Sequence, residues 1–170
     1  MVCVGACDSS LGLGTLGADA ADAALIVYHP GRSDLQAQAV RGFADGLVEM
    51  GWRVDLTTAS AETPTDLTGY RLLVLGAQSC TWAPAQPVQA YMRQLGNLDG
   101  LPVAAILSGL GETGPANDVM RDLVTAQGGS LIDIYNVWQL RPIDELYGID
   151  DPYEAMRRTA RALMLPSEES

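Results

Sequence analysis

The chain has 170 residues, 48% hydrophobic and 18% charged, which suits one soluble globular domain with a single core. Its formal net charge of −11 argues against a nucleic-acid partner, whose phosphates need a basic face. Lysine is absent and His29 is the sole histidine, which excludes a Walker lysine, a Schiff-base lysine and a multi-histidine metal site.

Residues 1–21 are rich in Gly, Ala and Asp without a sustained period, and read as a flexible tail. Within them Val4-Gly5-Ala6-Cys7 matches the small-residue end of a bacterial lipoprotein signal, but no basic region or apolar run precedes it. The chain as written reads as cytoplasmic; a membrane tether through Cys7 stays open. Cys3, Cys7 and Cys80 form no metal-binding pattern and imply no disulfide framework, so a reduced compartment is the default.

The domain spans residues 22–165, with a loose tail at 166–170. A short apolar strand, Ala24 to Tyr28, stops at His29-Pro30-Gly31, and a helix follows from Asp34 to Met50 with Val40, Phe43, Ala44, Leu47 and Val48 on one face. Trp52 to Thr57 reads as a second strand, and Ser60 to Gly69 as a loop. Tyr70 to Gly76 reads as a buried strand, followed by a helix from Pro84 to Leu95. Pro102 to Leu107 is another buried strand, Pro115 to Gln127 a helix, and Leu131 to Gln139 a fifth strand. A last helix is capped by Asp150 or Asp151 and runs to about Leu163. Near-continuous apolar strands alternating with amphipathic helices predict an α/β fold, a doubly wound parallel sheet of five strands. Ligands on such sheets sit at the carboxyl ends of the strands.

Three loops fall at those ends. In the first, Gly31 permits close backbone approach, Ser33 suits a helix cap, and Arg32 adds a full charge. A helix N-terminus also favours an anion, so this turn suits a phosphate group; the alternative is that Ser33 only caps the helix and Pro30-Gly31 only make a turn. The second runs Ala77-Gln78-Ser79-Cys80-Thr81-Trp82, and its Trp can stack on a flat heterocycle or lie as a lid over the sheet end. Cys80 has no nearby basic residue to lower its pKa and is expected to be neither catalytic nor disulfide-bonded. The third, Ser108-Gly109-Leu110-Gly111-Glu112-Thr113-Gly114, contains G-x-G-x-x-G but falls on the fourth strand, where a dinucleotide fingerprint belongs on the first.

In this order and spacing, ALIVYHPGRSD, RLLVLGAQSCTWAPAQPVQAYMRQL and LPVAAILSGLGETG resemble the flavodoxin-like family over about Ala23 to Leu163. The resemblance implies strand order 2-1-3-4-5 and FMN as cofactor. It places Gly31, Arg32 and Ser33, with His29 beside them, on the phosphate. Ala77, Gln78, Ser79, Cys80, Thr81, Trp82, Ser108, Gly109, Leu110, Gly111 and Glu112 then lie around the ring, with Trp82 at the aromatic position. The family's usual Ser/Thr-x-Thr/Ser-Gly-x-Thr/Ser loop is shortened here to HPGRS. The Pro-Gly-x-Ser form resembles that of a flavodoxin-like subgroup often tethered to membranes. The implied function is an electron carrier or flavin-dependent reductase, with a redox protein or a small quinone-like acceptor as partner. No catalytic acid–base pair is expected, and a homodimer stays open. The acidic charge should disfavour an anionic reduced flavin and push toward a low reduction potential. Two other readings remain: a cofactor-free binding or regulatory domain, because Pro30 lacks an N–H, and an NAD-binding dehydrogenase using Gly109–Gly114.

Overall fold

The computed structural model describes residues 14–139 and 151–163. Eleven elements follow in order: β1 Gly14–Leu16, β2 Ala23–Tyr28, α1 Asp34–Glu49, β3 Arg53–Thr58, β4 Leu72–Cys80, β5 Ala83–Pro84, α2 Gln86–Gln94, β6 Pro102–Gly109, α3 Gly114–Ala126, β7 Ser130–Trp138 and α4 Pro152–Arg161. The sheet order is β1-β3-β2-β4-β6-β7, with β5 pairing β4 off that path. The five strands β3-β2-β4-β6-β7 are mutually parallel and reproduce the expected 2-1-3-4-5 order. Among the described residues no helix is long and apolar enough to cross a membrane.

β2 is buried along its whole length, and its alternate side chains enter two different cores. Ala24, Ile26 and Tyr28 pack with α1 and α4. Leu25 and Val27 pack with α2 and α3. A strand covered on both faces has no polar side to show, which is why it reads as an unbroken apolar run.

Two elements differ from expectation. Residues 14–16 fall in the stretch read as a tail, yet they form β1, antiparallel to β3. Asp55 secures them: its carboxylate accepts from Thr15 Oγ1 at 2.7 Å, from the Tyr70 hydroxyl at 2.6 Å and from Arg53 at 3.3 Å. Burial and the Asp55 carboxylate push the Tyr70 pKa up to about 12. The second difference is at the ring loop. β4 runs on to Cys80, and Ala83–Pro84 turn back onto Ser79–Cys80 as β5 instead of opening α2. The expected tail residues 1–13 and 166–170, with Cys7 and Asp150, lie outside the described residues.

α1 and α4 approach backbone to backbone. A Cβ on Gly42 would collide with the Tyr153 carbonyl oxygen, and one on Gly46 with the Arg157 carbonyl oxygen and, at 2.8 Å, with Ala160 Cβ. Polar contacts border the seam: Tyr153 donates to Asp45 at 2.8 Å, and Arg157 pairs with both Glu49 and Glu154. Asp151 caps α4 by accepting from the Tyr153 N–H at 3.0 Å.

Candidate functional site

The carboxyl ends of β2, β4 and β6 lie side by side, with Tyr28 opposite Gly76 and Gln78 opposite Ser108. The order of the sheet reverses at β2, so the first loop leaves from the switch point.

His29 continues the ladder by donating its N–H to the Gly76 carbonyl at 2.9 Å. Its half-buried imidazole has a pKa lowered by desolvation, so it stays neutral at pH 7. Gly31 follows with φ of +73°, a conformation that strains other residues. Ser33 occupies the N-cap of α1 in extended backbone, but its side chain makes no capping bond, contrary to expectation. The first-turn N–H groups of α1 are therefore left without that intrahelical substitute. Arg32 is exposed. The other described arginines are ion-paired or, for Arg93, bonded to Gln89, whereas among the described residues no carboxylate or amide holds the Arg32 guanidinium.

Below this turn lies Gln36, which sequence reasoning missed. It is 1% exposed and its Nε2 donates to the Ile106 carbonyl on β6 at 3.1 Å. To get there it crosses over Gly76, where a Cβ would stand 2.7 Å from Nε2. Gln36 thus seats the first turn of α1 on the strand that carries the third loop. The S-x-x-Q spacing from Ser33 suggests a reciprocal capping box, and the inward turn of Gln36 removes one half of it.

The second loop is a hairpin. Cys80 pairs with Ala83 across a two-residue turn, with Thr81 at φ 50° and Trp82 at φ 69°. Positive φ at both central positions is what a tight hairpin requires, and non-glycine residues there cost on the order of 1–3 kcal/mol each. The strained tip holds Trp82 out at 63% exposure. Trp82 is thus no lid over the core. Ala77 belongs to the core instead, at 0% exposure among α2 and α3 residues. Cys80 is disulfide-bonded, which overturns the expectation that it is unbridged; its partner lies outside the described residues.

In the third loop Ser108 is 2% exposed and Leu110 63%. Gly109 is compelled by its neighbours, since a Cβ would stand 2.9 Å from Thr113 Cγ2. Thr113 is buried and donates to Asn136 Oδ1 at 2.6 Å while accepting from Trp138 Nε1 at 3.2 Å. A cavity of about 660 Å³ opens beside it, lined by residues 110–114 with Asn117 and Trp138. Gly111 and Glu112 face this cavity on the β7 side. Thr113, Asn117 and Trp138 were not foreseen; the signal for Trp138 was its place at the carboxyl end of a parallel strand. The G-x-G-x-x-G motif does follow a strand and open α3, but it sits on β6, away from the switch point. Asp133, the acidic residue it would need, is turned onto the Ile134 N–H at 2.8 Å.

No family model matches the sequence, and no curated protein matches it. Solved structures do. The chain is similar to oxidised Flavodoxin 2 from Bacillus cereus, at 19% identity and TM-score 0.66, over 82% of this chain and 95% of that one. The fold is flavodoxin-like. A flavodoxin from the domain Archaea matches at 16% identity and TM-score 0.65, over 82% of this chain and 94% of that one. A flavoprotein in complex with FMN from Lactobacillus acidophilus NCFM matches at 13% identity and TM-score 0.52, over 69% and 93%. In this flavodoxin-like chain, β1 is an extra strand at the sheet edge, outside the five-strand parallel order that the sequence predicts, and Asp55 of β3 bonds to it through Thr15. Among the described residues no group of His, Cys, Asp and Glu could hold a metal ion.

Proposed function

We propose that this chain is an FMN-binding flavoprotein serving as an electron carrier or flavin-dependent reductase. The observation that carries the reading is the first loop. In a chain of net charge −11, an exposed arginine with no ion pair among the described residues stands beside a helix N-terminus that lacks a side-chain cap, at the sheet's switch point. A phosphate group suits those donors. FMN, when bound, supplies the electron-transfer chemistry. The protein's part is to bind and orient: Gly31, Arg32 and Ser33 take the phosphate, the Trp82 hairpin lies against the ring, and Ser108–Glu112 border its other side. His29, neutral and half-buried, carries no charge into the site. The partner under this reading is a redox protein or a small quinone-like acceptor.

Support for the cofactor-free alternative is specific, since Pro30 removes one N–H donor from the loop. Reconstitution with FMN, FAD and riboflavin separates the two. Preferential uptake of FMN, with quenched flavin fluorescence, supports the proposal. A protein that takes up no flavin passes the lead to the binding-domain reading, and riboflavin binding as tightly as FMN removes the phosphate role of the first loop.

A further inference from the structure

Gln78 reaches from the second loop into the first. Its Oε1 accepts the Arg32 backbone N–H at 3.0 Å, and the same atom occupies the space a Cβ on Gly31 would need. Its backbone is fixed on both sides, by pairing with Ser108 on β6 and by the Ala85 N–H donating to its carbonyl at 2.9 Å. The carboxamide is therefore presented to the first loop by a rigid strand end. The Arg32 N–H belongs to the donors an incoming anion would use, and it already has a neutral acceptor.

We infer that Gln78 is an internal competitor for the anion site, whose carboxamide oxygen sets how strong an acceptor a ligand must bring. A phosphate dianion displaces it, because a charge-assisted bond replaces a neutral one. A neutral hydroxyl does not. Gln78 is thus a specificity-determining residue of the loop. This rests on the phosphate role proposed above.

The test uses Gln78→Ala, Gln78→Asn and Gln78→Glu in the full chain. Alanine removes the acceptor, asparagine shortens it by one methylene, and glutamate makes it a permanent anion next to Arg32. The readouts are the ratio of FMN to riboflavin affinity, by flavin fluorescence, and the rise in Tm caused by inorganic phosphate. The expected result is a ratio about threefold to tenfold higher in the Ala and Asn variants and about tenfold or more lower in the Glu variant. The phosphate-induced rise in Tm should follow the same order. A ratio that falls in Gln78→Ala, or a Glu variant equal to the original, overturns the inference, because Gln78 would then be a ligand or a strut. Should the protein take up no flavin, the phosphate arm still decides. Phosphate stabilisation that grows in Gln78→Ala upholds the competitor and rejects only the flavin reading; equal stabilisation in all the proteins rejects the competitor.

Discussion

The two halves of α1 are built to opposite rules. Its first turn is open: Ser33 makes no side-chain cap, and the neighbouring Arg32 has no ion pair among the described residues. Its second half is closed: Gly42 and Gly46 lie against the α4 backbone, with Asp45 and Glu49 held by Tyr153 and Arg157. At α4 the rule changes again, because Asp151 caps that N-terminus with its own side chain. The α2 and α3 N-termini also lack a side-chain cap, so the α1 end is set apart by the exposed Arg32 beside it. The first turn of α1 is held on β6 by Gln36, and its second half is held on α4 by the glycine seam.

The contrast can be broken at the closed half first. Gly42→Ala forces a methyl group into the Tyr153 carbonyl. It should destabilise the protein by about 1–3 kcal/mol in urea unfolding, against a helix-propensity gain of about 1 kcal/mol. A neutral or stabilising result would disprove the backbone contact. Trp82→Ala probes the hairpin opposite the open half. Flavin affinity should fall by about 1–3 kcal/mol with a brighter bound flavin, while Tm stays nearly unchanged because the side chain is exposed. Trp52→Phe is the appropriate control, since Trp138 lines the cavity by the third loop. Arg32→Ala sharpens the open half alone: FMN affinity should drop by about 1–2 kcal/mol, less at high salt, with riboflavin affinity barely affected. Loss of both flavins together would assign Arg32 to the ring instead.

The smallest effect lies at the sheet edge. Burial and then Asp55 raise the Tyr70 pKa from 10.0 to about 12, so the neutral phenol stabilises the fold. That contribution is complete below pH 10 and is lost as pH rises through about 12. Stability measured across this window should decline, and Tyr70→Phe should flatten the decline.

The parallel sheet was legible because buried strands such as AALIVY and LLVLG have no polar face to interrupt the apolar run. β1 was hidden: GTL is too short for a period, and the partner that fixes it, Asp55, is 40 residues away from Thr15. The hairpin was hidden for another reason. A turn with two positive φ values is normally announced by Asn-Gly, and Thr81-Trp82 carries no such mark. At the site, residue type located the loops but not the side-chain directions. Ser33 is a good cap by type and does not cap. Ala77 lies in the right loop and turns into the core. Cys80 gave no local sign of its bridge, because pairing depends on which distant segment the fold delivers.

The glycine seam also orders events during folding. Asp45 and Tyr153 are 108 residues apart, so the face of α1 bearing Gly42 and Gly46 has no cover until α4 has been synthesised. Closing so long a loop is slow relative to local helix formation. Chain stopped before residue 152 should therefore leave α1 sensitive to proteolysis and discriminate poorly between FMN and riboflavin, whereas chain reaching Leu163 should protect it. Equal protection in both would show that α1 settles without its last neighbour. Under the proposed function, cofactor selection is a late step, available only once the distal helix has docked.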